Sequence, residues 1–284
     1  MIALMRKVVP KVMPMVATMR ARTLLYCLPA VALLLAAFAS PGFAEPLEDG
    51  SAAYVRGDYE AALRLLRAPA EQGNAEAQLL LGMMYHDGEG VPKDYAEAAR
   101  WMRKAAEQDN ALAEASLGAM YQNGEGVPKD EAAAVRWFEK AASQGMAPAQ
   151  FILARLHEER GNDAEALKWY RVLASRGDAD SQNDVGRMYE TGRGVAQNDA
   201  EAATWYRLAA DQGNAEAQNN LGTLYAKGRG VPRDDVQAYM WFALSAAQNN
   251  PAAAGNRDAA AAAMTPAQIA EAEKRVAAWK PKSP

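Results

Sequence analysis

The chain repeats itself with a period of 36 residues, and that period constrains the fold more than any local propensity does. Leu-Gly-x-x-Tyr appears at Leu81-Gly82…Tyr85, Leu117-Gly118…Tyr121 and Leu221-Gly222…Tyr225, with Val185-Gly186…Tyr189 as a variant and Leu153-Ala154…His157 as a degenerate copy. A tryptophan recurs at Trp101, Trp137, Trp169, Trp205 and Trp241, with Leu65 in the same slot earlier; the steps are 36, 36, 32, 36 and 36 residues. Self-similarity at this period is the signature of a stacked array, in which each unit buries its apolar face only against its neighbours.

Each copy reads as two helices. The first carries Ala-x-x-x-Leu-Gly-x-x-Tyr, and glycine costs a helix interior about 1 kcal/mol against alanine. Its return at Gly82, Gly118, Gly186 and Gly222 therefore implies a packing reason: no side chain fits where two helices touch. A Gly-x-Gly-Val loop follows, at Gly88–Val91, Gly124–Val127, Gly192–Val195 and Gly228–Val231, with the valine placed to plug the end of the core. Asp94, Asn162, Asn198 and Asp234 then stand as N-caps. Glu97, Glu165, Glu201 and Gln237, three residues on, predict capping boxes. The second helix carries Ala-x-x-Trp-aromatic-x-x-Ala-Ala, predicted to bury its tryptophans together with Phe138, Tyr170, Tyr206 and Phe242 beside four of them, and ends at C-cap glycines Gly73, Gly145, Gly177 and Gly213. The 32-residue step arises where Gly161-Asn162 replaces the long loop by a tight turn like Gly57-Asp58.

The chain divides accordingly. Residues 1–44 read as a secretory signal: five basic residues and no acid up to Arg22, an apolar run from Leu24 to Ala39, and small residues before Glu45. The run is short for a membrane span, which needs about 20 residues, so no membrane insertion is expected after cleavage. Met19 is an alternative start. Residues 45–73 form an opening helix pair. Residues 74–249 hold five repeats (74–109, 110–145, 146–177, 178–213 and 214–249), and 250–284 a capping segment and tail, with Thr265-Pro266-Ala267-Gln268 starting its last helix.

These residues resemble the Sel-1-like repeat family, relatives of the tetratricopeptide repeat, over residues 58 to about 248. The resemblance implies an all-α, right-handed α-solenoid of antiparallel helix pairs. It also implies work as a protein-interaction scaffold, in envelope regulation, host contact or quality control. Some bacterial relatives bind or slowly hydrolyse β-lactams, but those are cysteine-rich; here Cys27 is the only cysteine and lies in the secretory segment, so that activity is not carried over.

Without residues 1–44 the chain has 26 basic against 35 acidic residues, a formal charge of −9, which argues against a nucleic-acid or anionic-membrane binder. The export signal and the cysteine-free product place it in the bacterial periplasm or outside the cell. His86 and His157 lie two repeats apart, too far in sequence for a metal cluster of the usual spacing. No serine or threonine stands in a nucleophile motif with base and orienter. No cofactor is implied, and no reaction.

The remaining signal is variation. Positions three before, one after and four after the glycine slot differ between copies while the core slots stay fixed. By analogy with tetratricopeptide arrays they line the concave groove and bind a partner protein. The candidates are Leu79, Met83, His86, Gln122, Phe151, Arg155, Glu158, Asn183, Arg187, Asn219 and Thr223, with Phe151 and Arg155 as anchors. Two alternatives stand beside a protein-binding scaffold: a peptidoglycan- or polysaccharide-binding module, and a β-lactam-binding envelope enzyme. A basic stripe (Arg64, Arg100, Arg136, Lys168; Arg67, Arg103, Arg171, Arg207) reads first as a solvated helix face with local pairs.

Overall fold

The computed structural model describes residues 44–283. All but the last residue of the predicted secretory segment lie outside them. Among the described residues there are fourteen helices and no strand. They run as consecutive pairs: α1 (Ala44–Arg56) with α2 (Tyr59–Glu71), α3 (Ala75–Asp87) with α4 (Tyr95–Ala106), α5 (Ala111–Asn123) with α6 (Glu131–Ser143), α7 (Ala147–Glu159) with α8 (Asp163–Ala174), α9 (Ala179–Thr191) with α10 (Asp199–Asp211), and α11 (Ala215–Lys227) with α12 (Asp235–Ala246). Two closing helices follow, α13 (Ala253–Ala262) and α14 (Pro266–Ala278). None of the described helices is long and apolar enough to cross a membrane. The chain forms two compact units that divide between Leu153 and Ala154, within α7.

In the first unit the glycine slot does what its cost implies. A Cβ at Gly82 would stand 3.0 Å from the Met102 side chain, and one at Gly118 would stand 3.0 Å from the Phe138 ring. Gly50 fills the same slot in the opening pair, 2.8 Å from Leu66, although no Leu-Gly-x-x-Tyr marks it. The second unit repeats the arrangement with Gly186 against Tyr206 and Gly222 against Phe242. The bulky residue that meets each glycine is the one after the tryptophan slot, and Met102, Phe138, Tyr206 and Phe242 are buried there, as is Tyr170 in the copy with Ala154. Trp101 and Trp241 are buried too, but Trp137, Trp169 and Trp205 are only half-buried. Arg100 and Lys104 lie over the Trp101 ring and Lys140 over that of Trp137, so these rings form a lid shared with cationic side chains.

The predicted capping boxes are corrected. Asp94 accepts from the Ala96 and Glu97 N–H groups, and Asn198 from those of Ala200 and Glu201. A full box needs the N-cap's own N–H for the returning acid, and that N–H is already donated to a carbonyl: Asp94 to Tyr85, Asn198 to Tyr189, Asp234 to Tyr225 and Asn162 to His157. Released from that duty, Glu97 pairs with Arg100 and Glu165 with Lys168. The complete reciprocal box is at Thr265 and Gln268, opening α14. The helix-ending glycines hold: Gly73, Gly145, Gly177 and Gly213 have positive φ. Asp109 and Asn249 occupy the equivalent positions in the other two copies and take the same left-handed conformation.

Part of the basic stripe is spent on the fold, while Arg64, Arg67 and Arg136 stay exposed. Arg103 donates to the Tyr121 hydroxyl at 2.7 Å with its guanidinium over that ring, and Arg171 and Arg207 do the same to Tyr189 and Tyr225. Each arginine thereby ties a second helix to the first helix of the following pair.

A buried glutamine near the start of each first helix makes a further tie. The side-chain amides of Gln78, Gln150, Gln182 and Gln218 donate to the carbonyls of Ala70, Ala142, Ala174 and Ala210 at 2.9–3.2 Å. In α5 the same slot holds Glu114, fully buried. Its Oε2 accepts from Gln144 at 2.7 Å, while Oε1 has no partner. Burial raises its pKa above the usual carboxylate range, against the opposing pull of Lys140 and Gln144. A raised carboxyl pKa means that the folded chain holds a proton the unfolded chain releases, so this site costs stability as pH rises. Glu114→Gln restores the missing donor. It is expected to raise unfolding free energy by about 1–2 kcal/mol at pH 7, with the gain shrinking in acid as Glu114 itself becomes a donor. Chemical denaturation at pH 4.5 and 7 measures this; no gain at pH 7 contradicts it.

Candidate functional site

The variable first-helix positions differ between the two units. In the first, Leu79, Met83, Ala115 and Ala119 are buried in the core, Gln122 and Phe151 are half-buried, and His86 is 8% exposed. His86 lies between two carboxylates, Nδ1 at 2.8 Å from Asp87 and Nε2 at 3.4 Å from Glu125, with its ring against Tyr95. Among the described residues no group of three His, Cys, Asp or Glu is placed to hold a metal ion.

In the second unit the same positions carry a connected polar surface. Glu158, near the end of α7, accepts on Oε1 from Arg187 at 2.8 Å and Arg193 at 2.9 Å, and on Oε2 from the Tyr170 hydroxyl at 2.9 Å. Arg187 also donates to Asp184 at 2.9 Å, and Arg193 grips Asp163 with two hydrogen bonds. Arg155 stands 3.9 Å from Glu158 and from Glu159, beyond hydrogen-bonding range. Burial alone would lift the Glu158 carboxyl; the bonds and charge of Arg187, with Tyr170 and Arg193, outweigh it and hold it below the usual range. Asp184 goes the other way: burial pushes it up to about 6, against the pull of Arg187. Of the predicted set, Arg155, Glu158 and Arg187 are thus brought together.

One repeat further on, Asn183, Asn219 and Thr223 belong to a different constellation. Asn220 donates its side-chain amide to Asn183 Oδ1 at 3.1 Å, and Asn256 donates to Asn219 Oδ1 at 2.8 Å. Thr223 donates to the Asn219 carbonyl within its own helix. Asn219, Asn220, Thr223 and Asn256 are half-buried, and Asn183 is 5% exposed. Sequence reasoning passed over Asn220 and Asn256. Their signal was available: both stand two residues before a glycine-slot position and 36 residues apart.

The corner where each loop meets the preceding pair was also missed, and it changes chemistry along the chain. In the first unit an acid on the loop faces a tyrosine or a histidine on the helix: Glu89 with Tyr54, and Glu125 with His86. In the second unit an arginine on the loop faces an acid on the helix: Arg193 with Glu158, and Arg229 with Glu190 at 3.2 Å. The N-terminal residue of the second helix follows suit, from Tyr59 and Tyr95 to Asp163 and Asp199.

With fold and surface described, comparisons place the chain. The family model described as Sel1 repeat matches residues 47–74, 75–110, 111–146, 147–178, 179–214 and 215–250. The chain belongs to the Sel1 repeat family. The first match takes in the opening pair. A Sel1 repeat protein from Oxalobacter formigenes is 38% identical over 73% of this chain and 84% of its own, with a TM-score of 0.61. The protective antigen c5321 of uropathogenic Escherichia coli, described as displaying an SLR fold, is 27% identical over 84% of this chain and 68% of its own, with a TM-score of 0.42. A putative Sel1 repeat protein from Klebsiella pneumoniae is 21% identical over 69% of this chain and 97% of its own, with a TM-score of 0.36. A search of curated proteins found no match. Sel1 repeat proteins commonly serve as protein-interaction scaffolds, and the family is generally non-catalytic.

The polar surface has a titratable signature. Between about pH 4, where a free aspartate ionises, and about 6, the folded chain keeps a proton on Asp184 that the unfolded chain gives up. Stability contributed at this site falls as pH rises through that window. Asp184→Asn is expected to gain about 1–2 kcal/mol on the unsubstituted chain between pH 4 and pH 7. Urea unfolding across the window tests this, and a constant difference between the two chains contradicts it.

Proposed function

We propose that this chain is an exported, non-enzymatic scaffold of the bacterial envelope, which holds a partner protein on the first-helix face of its second unit. Export rests on the basic, apolar and small-residue succession of residues 1–44. Scaffolding is the common role of the family. The observation that carries the choice of face is the contrast between units. Positions filled by core Leu79, Met83, Ala115 and Ala119 in the first unit hold Arg155, Arg187, Asn183, Asn219 and Thr223 in the second, and of these all but Asn183, which is 5% exposed, reach the surface. The second helices offer less: Arg100, Arg103, Arg171 and Arg207 are engaged with tyrosines and a glutamate of the fold itself, although Arg64, Arg67 and Arg136 stand exposed. Polar side chains held by neighbours on a rigid scaffold lose little freedom when a partner arrives, and this favours binding.

The test is photo-crosslinking in cells. A photoreactive phenylalanine analogue placed at Arg155 or Thr223 is expected to trap one discrete partner species, while the same probe at Glu139 or Lys168 on second helices traps none. The same species captured from Lys168 but not from Thr223 overturns the assignment of the face. Accumulation of the chain in the cytoplasm with residues 1–44 intact overturns export.

A further inference from the structure

We infer that the asparagines of α9, α11 and α13 form a ladder that binds the main chain of an extended polypeptide segment, largely irrespective of its sequence. The inference rests on the partner-holding face proposed above and names what that face recognises.

The two asparagine pairs are equivalent by repeat. Asn183 and Asn219 stand three residues before a glycine-slot position in successive first helices, and Asn220 and Asn256 stand two before it. Both bonds run in the same sense, the later asparagine donating and the earlier accepting. A primary amide has two N–H donors and a carbonyl that accepts twice. Each pair therefore uses one donor and one acceptor and leaves an NH2 on the earlier residue and a carbonyl on the later one. That is a donor beside an acceptor, twice, in the same orientation. A single residue of an extended chain presents the complement, its own N–H and C=O on one side.

The ladder is not a general tie of the fold. Positions equivalent to Asn183 hold Leu79, Ala115 and Phe151 in earlier copies, and positions equivalent to Asn220 hold Leu80, Ser116, Ile152 and Asp184. If the bonds served stacking alone, every copy would profit from them, yet the earlier copies stack through apolar contacts. The amides are confined to the end of the array where the first-helix face is polar. Two asparagines that bridge neighbouring helices set those helices on the order of 10 Å apart. Three residues of an extended or polyproline II chain advance about the same distance, and in polyproline II every third residue points the same way. One residue in three, offering its own N–H and C=O, thus meets one rung. Thr223 and Arg187 flank the rungs and would bias side-chain choice without controlling it.

Main-chain recognition by a few hydrogen bonds is weak, with an expected Kd of order 0.1–1 mM for a short segment. The test uses the full chain after export and two probes: a fluorescent 15-residue peptide without stable structure, and the same peptide with backbone N-methyl groups at every third residue. The expected results are binding of the first peptide, weakening of about tenfold on N-methylation, and a similar loss in the Asn219→Ala, Asn220→Ala double variant. The double variant interrupts the ladder, and circular dichroism reports whether it folds. The N-methylated peptide serves the same purpose on the unaltered chain, so the test stands even if the variant unfolds. Equal binding of both peptides overturns the inference, as does an absence of measurable binding at millimolar peptide. Retention of polysaccharide, abolished by the double variant, in place of peptide also overturns it. The two proposals fail separately. A crosslinked partner at Thr223 with no peptide binding removes the ladder and leaves the scaffold, whereas loss of both removes the face itself.

Discussion

The structure depends on one close approach of backbone to backbone. The second glycine of each Gly-x-Gly-Val loop lies against the carbonyl that begins the second helix of the preceding pair: Gly90 on Tyr59, Gly126 on Tyr95, Gly194 on Asp163 and Gly230 on Asp199. A Cβ at Gly90 would fall 2.8 Å from that oxygen, and φ at these glycines is positive, a region L side chains rarely adopt. The loop can therefore settle onto its neighbour, which brings the valine over the core end, as Val231 does, and delivers the residue between the glycines to the corner. Around this contact the other ties are placed: glycine slots, the buried glutamine rungs, and arginines reaching to the next tyrosine.

The corner residue shows how a fixed fold takes on changing chemistry. The same loop position is acidic in the first unit and arginine in the second, and the facing helix residue changes with it. The stacking survives each combination while the surface changes. The first unit packs apolar residues at the variable first-helix positions. The second presents arginines, carboxylates and asparagines held by one another. The division of labour between stacking and recognition thus lies in which first-helix positions are buried.

Much of this was legible in the sequence. The slot glycines, the loops and the tight turn at Gly161-Asn162 read directly, because each is a local solution demanded in the same place every 36 residues or, once, 32. The capping boxes misled because the N-cap N–H is claimed by a carbonyl of the preceding helix, that of a tyrosine nine residues back or, for Asn162, that of His157, a bond set by the loop and not by the box residues. The tryptophans and the aromatic residues beside them both read as core; the neighbours are buried, and Trp101 and Trp241 with them, whereas Trp137, Trp169 and Trp205 are only half-buried. Gly50 went unread because Asp49 and Ala53 replace the leucine and tyrosine that flank the other slot glycines. For the site, position was legible and state was not. Variation marked Leu79 and Met83 as readily as Arg187 and Thr223, since one chain shows that positions differ and not which of them packing has covered. Asn220 and Asn256 were hidden because they lie one residue outside the positions chosen by analogy.

The central claim is that loop glycines couple neighbouring pairs through steric room and not merely through their backbone angle. Gly194 and Gly161 separate the two effects. Both have positive φ, but the Cβ position at Gly161 meets nothing within 4 Å, whereas at Gly194 it collides with the Asp163 carbonyl. The decisive measurement is equilibrium unfolding of Gly194→Ala beside Gly161→Ala. The account expects Gly194→Ala to lose at least about 2 kcal/mol more than Gly161→Ala. Equal losses would contradict it, leaving the backbone angle alone as the reason for the glycine.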